Sequence, residues 1–191
     1  MLSDMTIDTR RRLEGGLFFI LFCLTIPAAN WLIQNVGTVC TVRGPCLIPV
    51  GPHLMAPSGV LMVGAALVLR DLVQRRLGFF AAVFAILIGA ALSVMLAPLS
   101  LVVASAAAYL LSEFSDLAVY TPLQERRFMT AVFASSIVGL IVDSIVFLWL
   151  AFGSLEFLAG QVVGKGWMIL LSVPLILYLR RRDREIGMGP A

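Results

Sequence analysis

Three carboxylic acids, Glu113, Asp116 and Asp143, stand within stretches of sequence that are otherwise apolar enough to cross a membrane. A charged side chain at the centre of a bilayer is costly unless it has a partner or faces a water-filled cavity, so acids in such positions are candidates for function. Two kinds of chemistry are open to them. A carboxylate accepts hydrogen bonds from the N–H groups of a ligand, and a carboxylic acid can carry a proton.

Helical spacing places the first two acids on one face. Tyr109, Glu113, Asp116 and Tyr120 recur at intervals of four, three and four residues in a predicted span. Residues three and four apart lie on the same side of a helix. We therefore expect this face to point into the protein and not toward lipid.

The third acid follows a face of small residues. Ser135, Gly139 and Asp143 are spaced by four, and Ser136 lies beside them. Small residues let a neighbouring helix or a ligand approach closely. Two interpretations stay open for Ser135, Ser136 and Gly139, because helix packing uses the same residues as ligand contact.

Asp71 has a simpler alternative. It adjoins Arg70 and lies four residues before Arg75, so it would form an ion pair at the end of a helix without any ligand.

Composition places the whole chain in a membrane. Of the 191 residues, 60% are hydrophobic and 13% are charged, and the mean hydropathy is +1.00. This length suits a single membrane domain, residues 1–191, with about six helices of roughly 20 residues each. The net charge of +3 does not indicate nucleic-acid binding, because the arginines cluster at helix ends and not along a stripe with aromatic residues.

The predicted fold is all-α and polytopic. Its six spans are approximately 15–34, 55–69, 78–96, 100–120, 129–152 and 167–179, the second continuing as a helix toward Arg76. Three spans in each half would enter the membrane in opposite senses, as in inverted-repeat transporters. Prolines at 45, 49, 52 and 57 favour a broken or re-entrant entry to the second span, and Pro98 separates the third from the fourth.

Basic residues set the expected orientation. Twelve of the 14 lie on one side of these spans, and only Arg43 and Lys165 lie on the other. The positive-inside rule then predicts a multi-pass protein of the cell (inner) membrane with cytoplasmic termini, in tails of about 1–14 and 180–191. Trp31, Trp149 and Trp167 fall at the predicted outer ends, where indoles favour the headgroup layer. The first apolar run is longer than a signal-peptide core, so we expect it to be retained as a span.

Enzymatic chemistry has little support. His53 is the single histidine and no acid lies near it, so neither a metal site nor a cofactor is expected. Catalytic triads and phosphate-binding glycine loops are absent from the sequence. Cys40 and Cys46 stand on the predicted outer side, where oxidation to a disulfide is permitted, and Cys23 is expected to pack within the first span.

Several motifs in order along the chain resemble the vitamin uptake transporter family, also called queuosine precursor transporters. They are Ala56-Pro-Ser-Gly-Val60, Leu69-Arg-Asp-Leu-Val-Gln-Arg-Arg-Leu-Gly78, Ser112-Glu-Phe-Ser-Asp116, Ser135-Ser-Ile-Val-Gly139 and Asp143-Ser-Ile-Val-Phe147. The resemblance implies a membrane carrier that imports a 7-deazaguanine, such as queuine or 7-cyano-7-deazaguanine, for queuosine synthesis in tRNA.

The resemblance also supplies a candidate substrate pocket. A deazaguanine has an edge of ring N–H and exocyclic NH2 donors that carboxylates accept, and flat faces on which aromatic rings stack. The expected substrate-binding residues are Asn30, Arg70, Asp71, Tyr109, Glu113, Asp116, Ser136, Asp143 and Phe147.

The expected mechanism is that of a secondary carrier with alternating access of the two halves around a midplane site, in which one acid carries a proton. A homodimer is also expected, because small-residue faces invite a neighbouring helix.

Two further interpretations stay open. One is a substrate-binding membrane subunit of an ATP-driven vitamin importer. The other is a structural membrane protein without a ligand, in which bent helices let Glu113 and Asp116 pair with Arg126 or Arg127.

Overall fold

A computed structural model describes residues 6–40, 45–97, 99 and 101–190. The predicted outer residue Arg43, the helix breaker Pro98 and the predicted start of the fourth span at Ser100 lie outside this part. The helices are α1 (Ile7–Asn35), α2 (Val60–Leu77), α3 (Phe79–Leu96), α4 (Val102–Leu123), α5 (Phe128–Phe152) and α6 (Leu158–Glu185). The strands are β1 (Val39–Cys40), β2 (Cys46–Gly51) and β3 (Leu54–Pro57).

Five of the described helices, α1 and α3 to α6, are long and apolar enough to cross a membrane. Their outward faces carry large apolar side chains such as Phe80, which is 86% exposed, and Val103, which is 75% exposed. Such faces need lipid around them. The predicted all-α, multi-pass class is therefore confirmed, and the sixth span and the inverted halves stay predictions.

Helix α2 is the central element of the fold. It contacts each of the other five helices, and twelve of its 18 residues are buried. It carries Arg70, Asp71, Arg75 and Arg76, and it is not among the five helices that are apolar enough to cross a membrane. At its end Gly78 has φ +86°, a conformation that glycine adopts readily, and α3 begins at the next residue.

A small antiparallel sheet, in the order β1-β2-β3, stands between α1 and α2. The prolines of this segment favour a broken or re-entrant helix, and the structure has a sheet there instead. Its strands are short. Pro49 lies beyond the residues of β2 that pair with β1 and next to a register shift, and Pro57 lies in the edge strand β3, which are positions that a sheet allows for proline. Cys40 pairs with Cys46 in the register and is joined to it by a disulfide.

Charged residues tie three helix ends together at the opposite end of the molecule. Arg76 donates from Nε to Glu14 Oε2 at 2.9 Å and from Nη2 to Asp183 Oδ1 at 2.8 Å. Arg182 donates to the same Glu14 oxygen at 2.6 Å. The start of α1 and the ends of α2 and α6 therefore meet on the arginine-rich side that the sequence predicted to be cytoplasmic.

Candidate functional site

All six helices line one cavity, here called the central cavity. It has an empty volume of about 750 Å³ including its open mouth. Most of the wall is apolar, as ligand sites commonly are. Its principal polar and aromatic residues are Asn30, Tyr109, Glu113, Asp143, Phe147, Gln161 and Lys165.

Behind one wall, Arg70 is fully buried and faces three carboxylates. Its Nε donates to Glu113 Oε2 at 3.2 Å, and its Nη1 lies 3.0 Å from Asp71 Oδ1. Its Nη2 forms an ion pair with Asp116. An unpaired guanidinium would be very costly at this depth, so α2 is bound electrostatically to α4.

The residues of α5 complete this cluster from the other side. Ser135 Oγ donates to Asp71 Oδ2 at 2.9 Å. A Cβ at Gly139 would lie 3.1 Å from Asp116 Oδ2 and 2.7 Å from Leu67 Cδ2, so the glycine permits the close approach of the helices. The small-residue face of α5 thus serves packing at Gly139 and hydrogen bonding at Ser135.

Another ion pair lies in the wall of the central cavity, where α5 meets α6. Lys165 is 1% exposed, and its Nζ donates to Asp143 Oδ2 at 2.6 Å, Ser144 Oγ at 2.7 Å and Gln161 Oε1 at 2.6 Å. All three ammonium hydrogens therefore have acceptors. A Cβ at Gly64 would lie 2.6 Å from the Lys165 carbonyl oxygen, so this glycine lets α6 approach α2.

The placement of Lys165 corrects one expectation. The sequence predicts a sixth span that begins at Trp167, with Lys165 in the outer loop, whereas α6 begins at Leu158. Glycines, Gln161 and Lys165 lower the hydropathy of this first part of the helix, but their polar atoms point inward. The spacing of Gln161 and Lys165 by four residues, directly before an apolar run, was the signal that could have found them.

Each acid of the central cavity uses only one of its two oxygens in the protein. Glu113 Oε2 is bound to Arg70, and Asp143 Oδ2 is bound to Lys165. Within the described part of the chain, Glu113 Oε1 and Asp143 Oδ1 have no hydrogen-bond partner. The cations therefore fix the orientation of both carboxylates and leave one acceptor on each, from two different helices.

Tyr109 and Phe147 provide aromatic wall surface. The Tyr109 hydroxyl is buried and, among the described residues, has no hydrogen-bond partner. It occupies the space that a Cβ at Gly89 would take. A buried hydroxyl without a partner calls for an explanation, and a hydrogen bond to a ligand or to water is one. Asn30 lines the cavity as well, and its Nδ2 donates to the Ile26 carbonyl oxygen at 3.0 Å.

The predicted site residues thus divide into two groups. The first lines the central cavity and comprises Asn30, Tyr109, Glu113, Asp143 and Phe147. The second lies behind the wall and comprises Arg70, Asp71, Asp116 and Ser136. Asp71 pairs with Arg70, and Arg75 pairs instead with Asp183 at 3.3 Å. The expected alternative partners Arg126 and Arg127 do not bind Glu113 or Asp116; Arg70 does.

Comparison with known proteins gives one family. Neither the curated proteins nor the solved structures contain a significant match to this chain. Residues 93–179, which include α4, α5 and most of α6, match the family described as "Putative vitamin uptake transporter". Family and fold together indicate a membrane transporter of vitamin-like substrates. Over residues 93–179, somewhat less than half of its length, the chain is therefore similar to the vitamin uptake transporter family, as its sequence motifs indicate.

Proposed function

We propose that this protein imports a 7-deazaguanine, such as queuine or 7-cyano-7-deazaguanine, through the central cavity. The observation that carries the proposal is the pair of oriented carboxylates, Glu113 and Asp143, each with one oxygen that no described residue binds. The family match supports a carrier of a vitamin-like substrate, and the motifs that resemble those of queuosine precursor transporters favour a 7-deazaguanine as that substrate.

The chemistry of the cavity suits a guanine-type edge. That edge carries a ring N–H and an exocyclic NH2 side by side, and Glu113 Oε1 and Asp143 Oδ1 are acceptors without donors of their own. A hydrogen bond to an ionised group is stronger than one between neutral groups. An adenine-type edge, which presents a ring acceptor in place of the N–H, would face a carboxylate and be rejected.

The aromatic residues suit the rest of the ligand. Phe147 offers a surface for the flat bicyclic ring, and the Tyr109 hydroxyl offers a hydrogen bond to a carbonyl or ring nitrogen. Residues behind the wall, Arg70 and Asp116 among them, act by holding Glu113 and do not contact the substrate.

Counterflow in proteoliposomes tests the proposal without an energy source. Vesicles that contain only this protein are loaded with unlabelled queuine, and entry of labelled queuine is measured. We expect exchange that is competed by 7-deazaguanine and not by 7-deazaadenine or biotin. Exchange without any ATPase also separates a carrier from a subunit of an ATP-driven importer.

Matched variants locate the site. Glu113→Gln and Asp143→Asn each remove one charge-assisted hydrogen bond, so we expect about a tenfold or greater loss of apparent affinity. Glu156→Gln, the same chemical change at an exposed residue outside the cavity, serves as the control. Unchanged affinity in both cavity variants, or equal competition by 7-deazaadenine, would contradict the proposal.

A further inference from the structure

A second cavity, with an empty volume of about 720 Å³ including its open mouth, lies at the arginine-rich end of the molecule. Its wall is formed by the ends of α2 and α6, the connection between α4 and α5, and residues 187–190. We call it the arginine pocket. Its charged residues are Arg75, Glu125, Arg126, Arg180, Asp183 and Arg184.

Part of this charge is already neutralised within the protein. Arg75 donates from Nε to Asp183 Oδ2 at 3.3 Å, and its guanidinium lies 4.0 Å from the centroid of the Phe128 ring. Asp183 Oδ1 also accepts a hydrogen bond from Arg76 Nη2 at 2.8 Å. Both carboxylate oxygens of Asp183 therefore already accept hydrogen bonds from Arg75 or Arg76, and this acid does not neutralise the charge of the other arginines of the pocket.

The other three arginines, Arg126, Arg180 and Arg184, make no ion pair or hydrogen bond within the described part of the chain. They come from two separate elements, the α4–α5 connection and the end of α6, and the fold brings them to one cavity. Among the described residues of the pocket wall, Glu125 is the one acid besides Asp183. The pocket thus carries a surplus of positive charge that a bound anion would balance.

The start of α5 adds backbone donors to this surplus. The helix begins at Phe128, which lines the pocket, its N-cap residue Arg127 makes no side-chain capping bond, and its first turn contains no acid. The first N–H groups of a helix have no partner within the helix and favour an anion. The surplus of positive charge and the free N–H groups of the first turn of α5 therefore both favour an anionic ligand.

We propose that the arginine pocket binds a phosphate group. Arginine and a helix N-terminus are the donors that proteins use for phosphate. The pocket stands at the ends of helices, on the side that the arginines predict to be cytoplasmic, so the headgroup of an anionic phospholipid is the expected carrier of that phosphate. This site is separate from the central cavity and does not depend on the identity of the transported substrate.

Lipid titration of the full-length protein in detergent tests the proposal. Thermal stability and native mass spectra are recorded with phosphatidylglycerol, with phosphatidylcholine and with inorganic phosphate. We expect a saturable rise in melting temperature with phosphatidylglycerol and none with phosphatidylcholine. The same rise with inorganic phosphate alone would support the phosphate site with a free anion as its source.

A pair of variants with equal charge change separates the pocket from general surface charge. Arg180→Gln/Arg184→Gln removes two pocket arginines, whereas Arg12→Gln/Arg181→Gln removes two arginines outside it, of which the Arg181 side chain is 85% exposed. We expect at least a tenfold loss of phosphatidylglycerol affinity in the first variant and less than a twofold loss in the second. Equal losses in both, or no saturable response to either phosphate source, would overturn the proposal.

Discussion

Lys165 and Asp143 form an ion pair in the wall of the central cavity, with 2.6 Å between Nζ and Oδ2. The two residues belong to different helices, α6 and α5, and Lys165 has no donor left for a ligand because Ser144 and Gln161 take its other hydrogens. Lys165 is therefore a positioning residue, and Asp143 is the member of the pair that can meet a substrate.

Loss of Lys165 alone should be strongly destabilising. Lys165→Met leaves Asp143 charged and without a cation, a loss that typically costs about 3–5 kcal/mol for a buried pair. Asp143→Asn together with Lys165→Met should cost at least about 1 kcal/mol less than the sum of the single changes. Thermal or denaturant unfolding in detergent measures all three variants. Additive costs would show that the two side chains do not interact.

Tyr109→Phe should separate binding from stability. The hydroxyl has no partner within the described part of the chain, so its removal should leave the melting temperature unchanged. Loss of one neutral hydrogen bond to substrate, about 1 kcal/mol, should lower apparent queuine affinity about fivefold. Tyr178→Phe, at a 60% exposed position, is the control and should change neither quantity. A lower melting temperature for Tyr109→Phe would instead assign the hydroxyl a structural role.

The sequence predicts the helices well because their ends carry strong signals. Arg75 and Arg76 end α2, Gly78 separates α2 from α3, and Thr121-Pro122 comes close to the end of α4 at Leu123. The sequence predicts a helix shorter than α6 because the first two turns of α6 are polar. The polar side chains of these turns bind one another inside the protein.

Local spacing also places Tyr109 and Glu113 on one face, and both line the central cavity. Spacing along one helix cannot show which cation on another helix meets an acid. Arg70 and Glu113 are 43 residues apart, and Lys165 and Asp143 are 22 apart. These pairs depend on the packing of whole helices, so they became visible only in the fold.

Gly64 should tolerate no side chain. A Cβ there would lie 2.6 Å from a backbone oxygen of α6, so Gly64→Ala must displace the helix that carries Lys165. We expect a destabilisation of about 1–3 kcal/mol and weaker substrate binding. Gly16→Ala meets nothing within 4 Å and should be neutral or stabilising by about 0.5–1 kcal/mol. The melting temperatures of the Gly64→Ala and Gly16→Ala variants test this prediction. Equal values would contradict the close approach of α2 and α6.

Counting of free thiols tests the disulfide that joins β1 to β2 in the sheet between α1 and α2. The protein has three cysteines, and Cys40 and Cys46 form a disulfide. Alkylation of the denatured protein should therefore modify only Cys23 before reduction and all three cysteines after it, as read by intact mass. Cys23→Ser should give no modification before reduction and two after it. Three modified cysteines without reductant would show that the pair is reduced.

The charge on α2 has a consequence for the order in which the molecule is assembled. Arg70 and Asp71 make this helix a poor substrate for insertion by hydrophobicity alone, and two of the three carboxylates that pair with Arg70, Glu113 and Asp116, lie on α4. During synthesis the ribosome completes α2 about 40 residues before those partners emerge. We expect α2 to remain beside α1 at the translocon or at the membrane interface until α4 has been synthesised. The helices of this protein would then insert into the membrane together and not one segment at a time.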